Sequence, residues 1–198
     1  MNLLDGIDGL ASGVTGCIAI SLAVINIASG NVVVALLTLS LAGASFGFLP
    51  HNFSPARIFL GDTGSLLMGY MLAGIGILSL FKATTLSFIA APLLVFAVPL
   101  YDTLSVMLKR AFSGKPLFSA DRSHLHHRLL ALGWTQREAA TFLCCISAFM
   151  GALGVFFSLQ DQTEAPLLSL GLVLAGIGAV GLLSRRALAQ RKTKPSTR

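Results

Sequence analysis

Residues Ala11–Ala28 read ASGVTGCIAISLAVINIA, and after Ser29-Gly30-Asn31 the chain resumes with VVVALLTLSLAGASFGFL over Val32–Leu49. Neither stretch carries a charge, and neither alternates apolar with polar residues as a barrel strand would. A bilayer's hydrocarbon core, about 30 Å thick, needs roughly 20 helical residues at about 1.5 Å each. Two such runs joined by a tight turn read as a pair of spanning helices. Further along, Ser65–Phe81, Leu86–Leu108, Ala139–Leu159 and Ala165–Ser184 have the same character, and only Leu86–Leu108 contains a charged residue, Asp102. Backbone in lipid must satisfy its own hydrogen bonds, so the predicted fold is all-α: a polytopic transmembrane bundle of about six helices over residues 1–184, followed by a basic tail at 185–198.

Composition agrees. Of 198 residues, 55% are apolar and 11% charged, more hydrocarbon than a soluble domain of this length can hide. The net charge of +6 could suggest nucleic acid, but the basic residues lie in short segments between apolar runs and in the tail, where membrane orientation explains them better. With the N-terminus cytoplasmic, Lys82 alone of the 14 Lys and Arg residues falls on the far side. Asp5, Asp8, Asp62, Asp102, Asp121 and Glu138 then lie on or near the cytoplasmic side, and the tail from Arg185 reads as an anchor for anionic lipid. The expected location is the inner (plasma) membrane, multi-pass, with polar loops and C-terminus in the cytosol. Cys17, Cys144 and Cys145 sit inside apolar runs and read as packing residues. Gly43 with Gly47 and Gly74 with Gly76 are expected to permit close helix approach. No cleavable signal peptide is expected, because the chain opens on acidic, Gly-rich sequence.

Three polar constellations fall on the expected cytoplasmic side. In Asn2-Leu3-Leu4-Asp5-Gly6-Ile7-Asp8-Gly9-Leu10-Ala11, two carboxylates three residues apart would share a helical face, or else cap the helix that follows. In the segment His51-Asn52-Phe53-Ser54-Pro55-Ala56-Arg57-Ile58-Phe59-Leu60-Gly61-Asp62-Thr63-Gly64-Ser65, read as a loop, Asp62 stands at the mouth of a membrane helix. It either caps a helix starting at Ser65 or binds Mg²⁺, which accepts one or two carboxylates completed by water and substrate phosphates. Lastly, Asp121-Arg122-Ser123-His124-Leu125-His126-His127-Arg128 focuses positive charge suited to phosphates, the plainer alternative being a solvated topogenic loop. Zinc fits poorly: the histidines fall at i, i+2 and i+3, which a helix cannot aim at one ion, and no cysteine is near.

Taken together, and in this order and spacing, the Asp5–Ala11, Asn52–Ser65 and His124–His127 segments resemble the polyprenyl-phosphate N-acetylhexosamine-1-phosphate transferases of glycosyltransferase family 4, over nearly the whole chain. The resemblance implies a Mg²⁺-dependent phosphoglycosyl transferase, with Mn²⁺ as a substitute ion. It would move N-acetylhexosamine-1-phosphate from a UDP-sugar to undecaprenyl (polyprenyl) phosphate and release UMP, the first membrane step of cell-envelope polysaccharide synthesis. By the same resemblance Asp5, Asp8, Asp62, His124, His126 and His127 are the catalytic group, with Asp62 the metal ligand. Asn2, Asp5 and Asn52 would line the cleft around the pyrophosphate, Gly6, Ile7, Asp8 and Phe59 would hold the uracil, and His124, His126 and His127, with Arg122 nearby, would bind phosphate or sugar. An aromatic such as Phe59 can equally be a membrane anchor.

The family carries a further half-chain upstream, including an Asp-Asp pair that this sequence lacks, so the chain is expected to be the C-terminal part and inactive alone. Expected partners are the UDP-sugar, the polyprenyl phosphate and the membrane, with a homodimer allowed and nucleic acid excluded. Alternatives are the phospho-MurNAc-pentapeptide translocase of peptidoglycan synthesis, whose consecutive histidines Leu125 interrupts here, and a non-enzymatic transporter with Asp102 as its ion site, or a membrane scaffold.

Overall fold

A computed structural model describes residues 1–80, 86–112, 124–159 and Gly171. The expected span Ala165–Ser184, the basic tail, Lys82 and Arg122 lie outside the described residues. After a 3₁₀ turn at Asn2–Leu4 come α1 (Leu10–Ala28), α2 (Val32–Asn52), α3 (Gly61–Leu80), α4 (Leu86–Val95), α5 (Ala97–Phe112), α6 (Leu125–Ala131) and α7 (Gln136–Leu159). The described residues contain no strand. Three of these helices, α1, α2 and α7, are long and apolar enough to cross a membrane.

Helix α1 is the axis of the bundle. It packs along α2 and α7 and touches α3 and α4. Within its most apolar stretch 78% of the residues are buried by protein, against 28% for α2 and 33% for α7. Leu10, Val14, Ile18 and Leu22 are fully enclosed, while Val32, Val33, Leu36 and Leu37 of α2 face outward. That outward apolar surface is what a helix offers to lipid. The α1–α2 turn is tight because Gly30 takes a left-handed φ of 66°. This conformation, costly for any residue with a Cβ, lets the Asn31 N–H reach back to the Asn26 carbonyl.

Close helix approach occurs, but not at the glycines expected for it. Gly43, Gly47 and Gly74 meet nothing among the described residues, and Gly76 only the edge of Phe96. The contacts run instead through α1 and α7: a Cβ at Gly13 would strike Cys144, one at Gly16 the ring of Phe46, and one at Gly154 the Ala91 carbonyl. The reason is burial, since α2 turns most of its surface outward whereas α1 has neighbours on every side. Cys17, Cys144 and Cys145 are free thiols, the first two half-buried at the α1–α7 contact.

The expected continuous span Leu86–Leu108 is broken at Phe96 into α4 and α5. Pro99 explains the position. It has no N–H to donate to the Val95 carbonyl four residues earlier, and its ring crowds that carbonyl. The backbone re-forms helix immediately, with the Leu100 N–H donating to Phe96. The break leaves α5 as a separate helix with Asp102 in its second turn.

Candidate active site

One end of the bundle collects the polar segments. Gly9, with φ 77°, begins α1 at Leu10, and no side chain caps the helix. Asp5 and Asp8 therefore do not share a helical face, as their spacing suggested, nor do they cap α1. They lie on the turn before it, and Asp8 Oδ2 instead accepts the Ala56 N–H at 3.0 Å. This bond ties the first segment to the second.

The second segment is shorter as a loop than its composition suggested. Helix α2 continues through Pro50 to Asn52, and α3 begins at Gly61, so the loop proper is residues 53–60. Asp62 thus sits within the first turn of α3, exposed, and is not a cap for a helix starting at Ser65. Asn52 is 3% exposed and bonded at both ends of its amide: Oδ1 accepts from Ser12 at 2.8 Å, and Nδ2 donates to the Ile58 carbonyl at 3.0 Å. Asn2 Oδ1 accepts from Ser65 at 2.8 Å, which fastens the chain's start to α3.

These ties shape an open cleft of about 380 Å³ lined by Asp5, Gly6, Ile7, Asp8, Asn52, Phe59, Leu60, Gly61, Asp62 and Gln136. Three carboxylates share it. Desolvation, then the charges of Asp62 and Asp8, push the Asp5 carboxyl above its usual range. Phe59 is 74% exposed beside the carboxylates, an orientation open to a flat ligand and to the membrane interface alike. Ile7 is part of the apolar core, 6% exposed, although its residue borders the cleft.

Among the described residues no three His, Cys, Asp or Glu side chains converge to hold an ion. A preformed cage is therefore absent there, but crowded carboxylates around Asp62 suit Mg²⁺ whose remaining ligands are water and substrate phosphate.

The third segment comes to the same end of the molecule without lining the cleft. His124 precedes α6, and His126 and His127 lie in it. The His124 and His126 rings stack at 5.9 Å, and those of His126 and His127 meet at 4.2 Å. His126, 1% exposed, presses against Gly6, where an added Cβ would collide with Nε2. A residue of the first motif and one of the third are thus in van der Waals contact. Burial, then the neighbouring His127, lowers the His126 pKa to about 4, so the ring is neutral near pH 7. Both its nitrogens are buried without a hydrogen-bond partner among the described residues.

Asp102, which the sequence singled out only as an intramembrane charge, belongs here. It is completely buried, Oδ2 lies 2.8 Å from His124 Nδ1, and Oδ1 accepts the Leu125 N–H at 2.7 Å. Gln136 and Leu60 were likewise not foreseen as lining residues, since nothing in their local sequence sets them apart.

The chain is similar to known proteins along most of its length. Residues 1–80 match the model of glycosyl transferase family 4. A decaprenyl-phosphate N-acetylglucosaminephosphotransferase of Mycobacterium tuberculosis (strain ATCC 25618 / H37Rv) is 36% identical over 208 residues, which takes in 94% of this chain and 51% of the relative. A probable undecaprenyl-phosphate N-acetylglucosaminyl 1-phosphate transferase of Bacillus subtilis (strain 168) is 38% identical over 146 residues, 74% of this chain and 41% of the relative. A phospho-N-acetylmuramoyl-pentapeptide-transferase of Moorella thermoacetica is 36% identical over 159 residues, 79% of this chain and 47% of the relative. The chain spans about half the length of the curated relatives it matches. With its apolar helices and these polyprenyl-phosphate transferases among its relatives, it is a membrane protein, and its residues 1–80 are those of glycosyl transferase family 4.

Proposed function

We propose that these residues build part of the active site of a polyprenyl-phosphate N-acetylhexosamine-1-phosphate transferase. The donor is a UDP-sugar, the acceptor undecaprenyl or another polyprenyl phosphate, and UMP leaves. The observation that carries this reading is the meeting of Asp5, Asp8 and Asp62 in one open cleft, with the imidazole cluster touching its wall at Gly6. Phosphoryl transfer between two anions is chiefly a matter of neutralising charge and aligning oxygens. Held at the carboxylate side of the cleft, Mg²⁺ would supply positive charge to offset that of the donor's phosphates. Asp62 is its ligand, Asp5 and Asp8 hold the local charge that attracts it, and Phe59 offers a face on which uracil can stack. The lipid acceptor explains why such a site stands at the end of membrane helices, and the basic excess of the intervening segments supports a cytosolic position for that end.

Asp62→Asn tests the proposal in the detergent-solubilised chain. The wild type is expected to bind UDP-GlcNAc in a Mg²⁺-dependent manner, and the variant to lose at least about tenfold in affinity, roughly 1.4 kcal/mol. Equal binding by both, or none by the wild type, sinks the reading. A second reading, transfer of phospho-MurNAc-pentapeptide, draws on a relative of comparable identity. Leu125 between the histidines favours the N-acetylglucosamine branch, and competition between UDP-GlcNAc and UDP-MurNAc-pentapeptide for the same site decides it.

A further inference from the structure

Asp102 has both carboxylate oxygens committed. Oδ1 accepts from the Leu125 backbone N–H, a group that can only donate, and Oδ2 faces His124 Nδ1. The carboxylate is fully buried, and the His124 side chain is 9% exposed, so no bulk water competes for these bonds. A carboxylate in that position accepts, which places a proton on Nδ1 and leaves Nε2 as the ring's free nitrogen. The same side chain satisfies the first backbone N–H of α6, the helix that carries His126 against Gly6.

We infer that Asp102 is a positioning residue of this site: its buried carboxylate fixes the tautomer of His124, presents Nε2 as that ring's reactive atom, and docks the start of α6 in register with the cleft. What Nε2 accepts a proton from, a hydroxyl or protonated phosphate group of the bound substrates, rests on the transferase reading above. The tautomer does not.

Asp102→Asn makes a sharp test because the amide is nearly isosteric but has one acceptor side and one donor side. Leu125 N–H requires the oxygen, so the NH₂ must face Nδ1, which then has to be a lone pair, and the proton moves to Nε2. The full chain, labelled with ¹⁵N-histidine in detergent, is examined in alkaline buffer by long-range ¹H–¹⁵N correlation, with His124→Gln assigning the resonance. The expected result is an Nδ1–H ring in the wild type and an Nε2–H ring in Asp102→Asn. A wild-type His124 protonated on Nε2, or an Asn variant that keeps the wild-type pattern, overturns the inference. Should the variant fail to fold, the wild-type spectrum alone decides, since only an Nδ1–H ring is compatible with the proposed role. Failure of the wild type to bind UDP-GlcNAc would remove the transferase reading and leave the tautomer result standing, so the two failures are told apart.

Discussion

The site holds carboxylates of two opposite kinds. Asp5, Asp8 and Asp62 crowd an open cleft as like charges, and the first of them resists ionising because of its partial burial and then that company. Asp102 is shut away from solvent, yet each of its oxygens faces a donor. A half-buried carboxylate with like charges beside it is costly to ionise. A buried, satisfied carboxylate instead spends its charge on holding neighbouring groups in place. The difference predicts opposite signs for removing a carboxylate in the two places.

The largest effect is expected from Asp102→Ala. It would leave the His124 Nδ1–H and the Leu125 N–H buried without an acceptor, and deleting one member of a buried pair typically costs about 3–5 kcal/mol. Thermal unfolding in detergent should show a large drop for Asp102→Ala and a smaller one for Asp102→Asn, which keeps an oxygen for Leu125. Equal, small losses in both would mean that the pair carries no stability and that the contrast with the cleft is false.

Next is the wall between the two regions. Gly6→Ala puts a methyl group into the His126 ring, and overpacking of this kind costs about 1–3 kcal/mol. His126 belongs to α6, which Asp102 docks, so displacement should be transmitted between cleft and buried pair. The double variant Gly6→Ala with His126→Ala removes the collision and should recover most of the loss. If it recovers nothing, Gly6 is needed for its backbone alone and the two regions are independent.

How much of this could be read from the sequence follows from the range of the forces involved. Spanning helices are written locally: Ala11–Ala28 and Val32–Leu49 return as α1 and α2 within a few residues, because hydropathy over one run decides whether lipid is tolerable. The polar segments were legible for the same reason, as interruptions of such runs, and α1, α2 and α3 necessarily deliver their ends to common levels. The role of Asp102 was not legible, since its partner His124 is 22 residues away across a helix end and no periodicity links them. The contact of Gly6 with His126 is a fact of packing between distant elements. Gly43 and Gly47 misled because small residues license close approach without saying which helix, if any, lies opposite. The break at Phe96 was legible in principle, for Pro99 fixes it, but a run of apolar residues conceals a kink that hydropathy does not sense.

The smallest effect, and the one of opposite sign, belongs to Asp5. Desolvation first, then Asp62 and Asp8, raise its folded carboxyl above the ordinary 3.8. The folded protein thus holds that proton more tightly than the unfolded chain does. The resulting stabilisation is complete below about pH 3.8 and is lost as pH rises through the raised folded value. At neutral pH without divalent cations, the ionised carboxylate is a net cost, and Asp5→Asn should melt at a higher temperature than the wild type. Asp5 is only half-buried, so solvent screening keeps the gain below about 1 kcal/mol. The difference should fade in acid, where the wild type recovers its proton. Added Mg²⁺ should reverse the order, because an ion that binds the folded cleft stabilises the wild type by mass action and the Asn variant less. An Asp5→Asn chain that is destabilised at neutral pH in EDTA would show that this carboxylate, like Asp102, is held by donors, and the distinction between the two kinds would be lost.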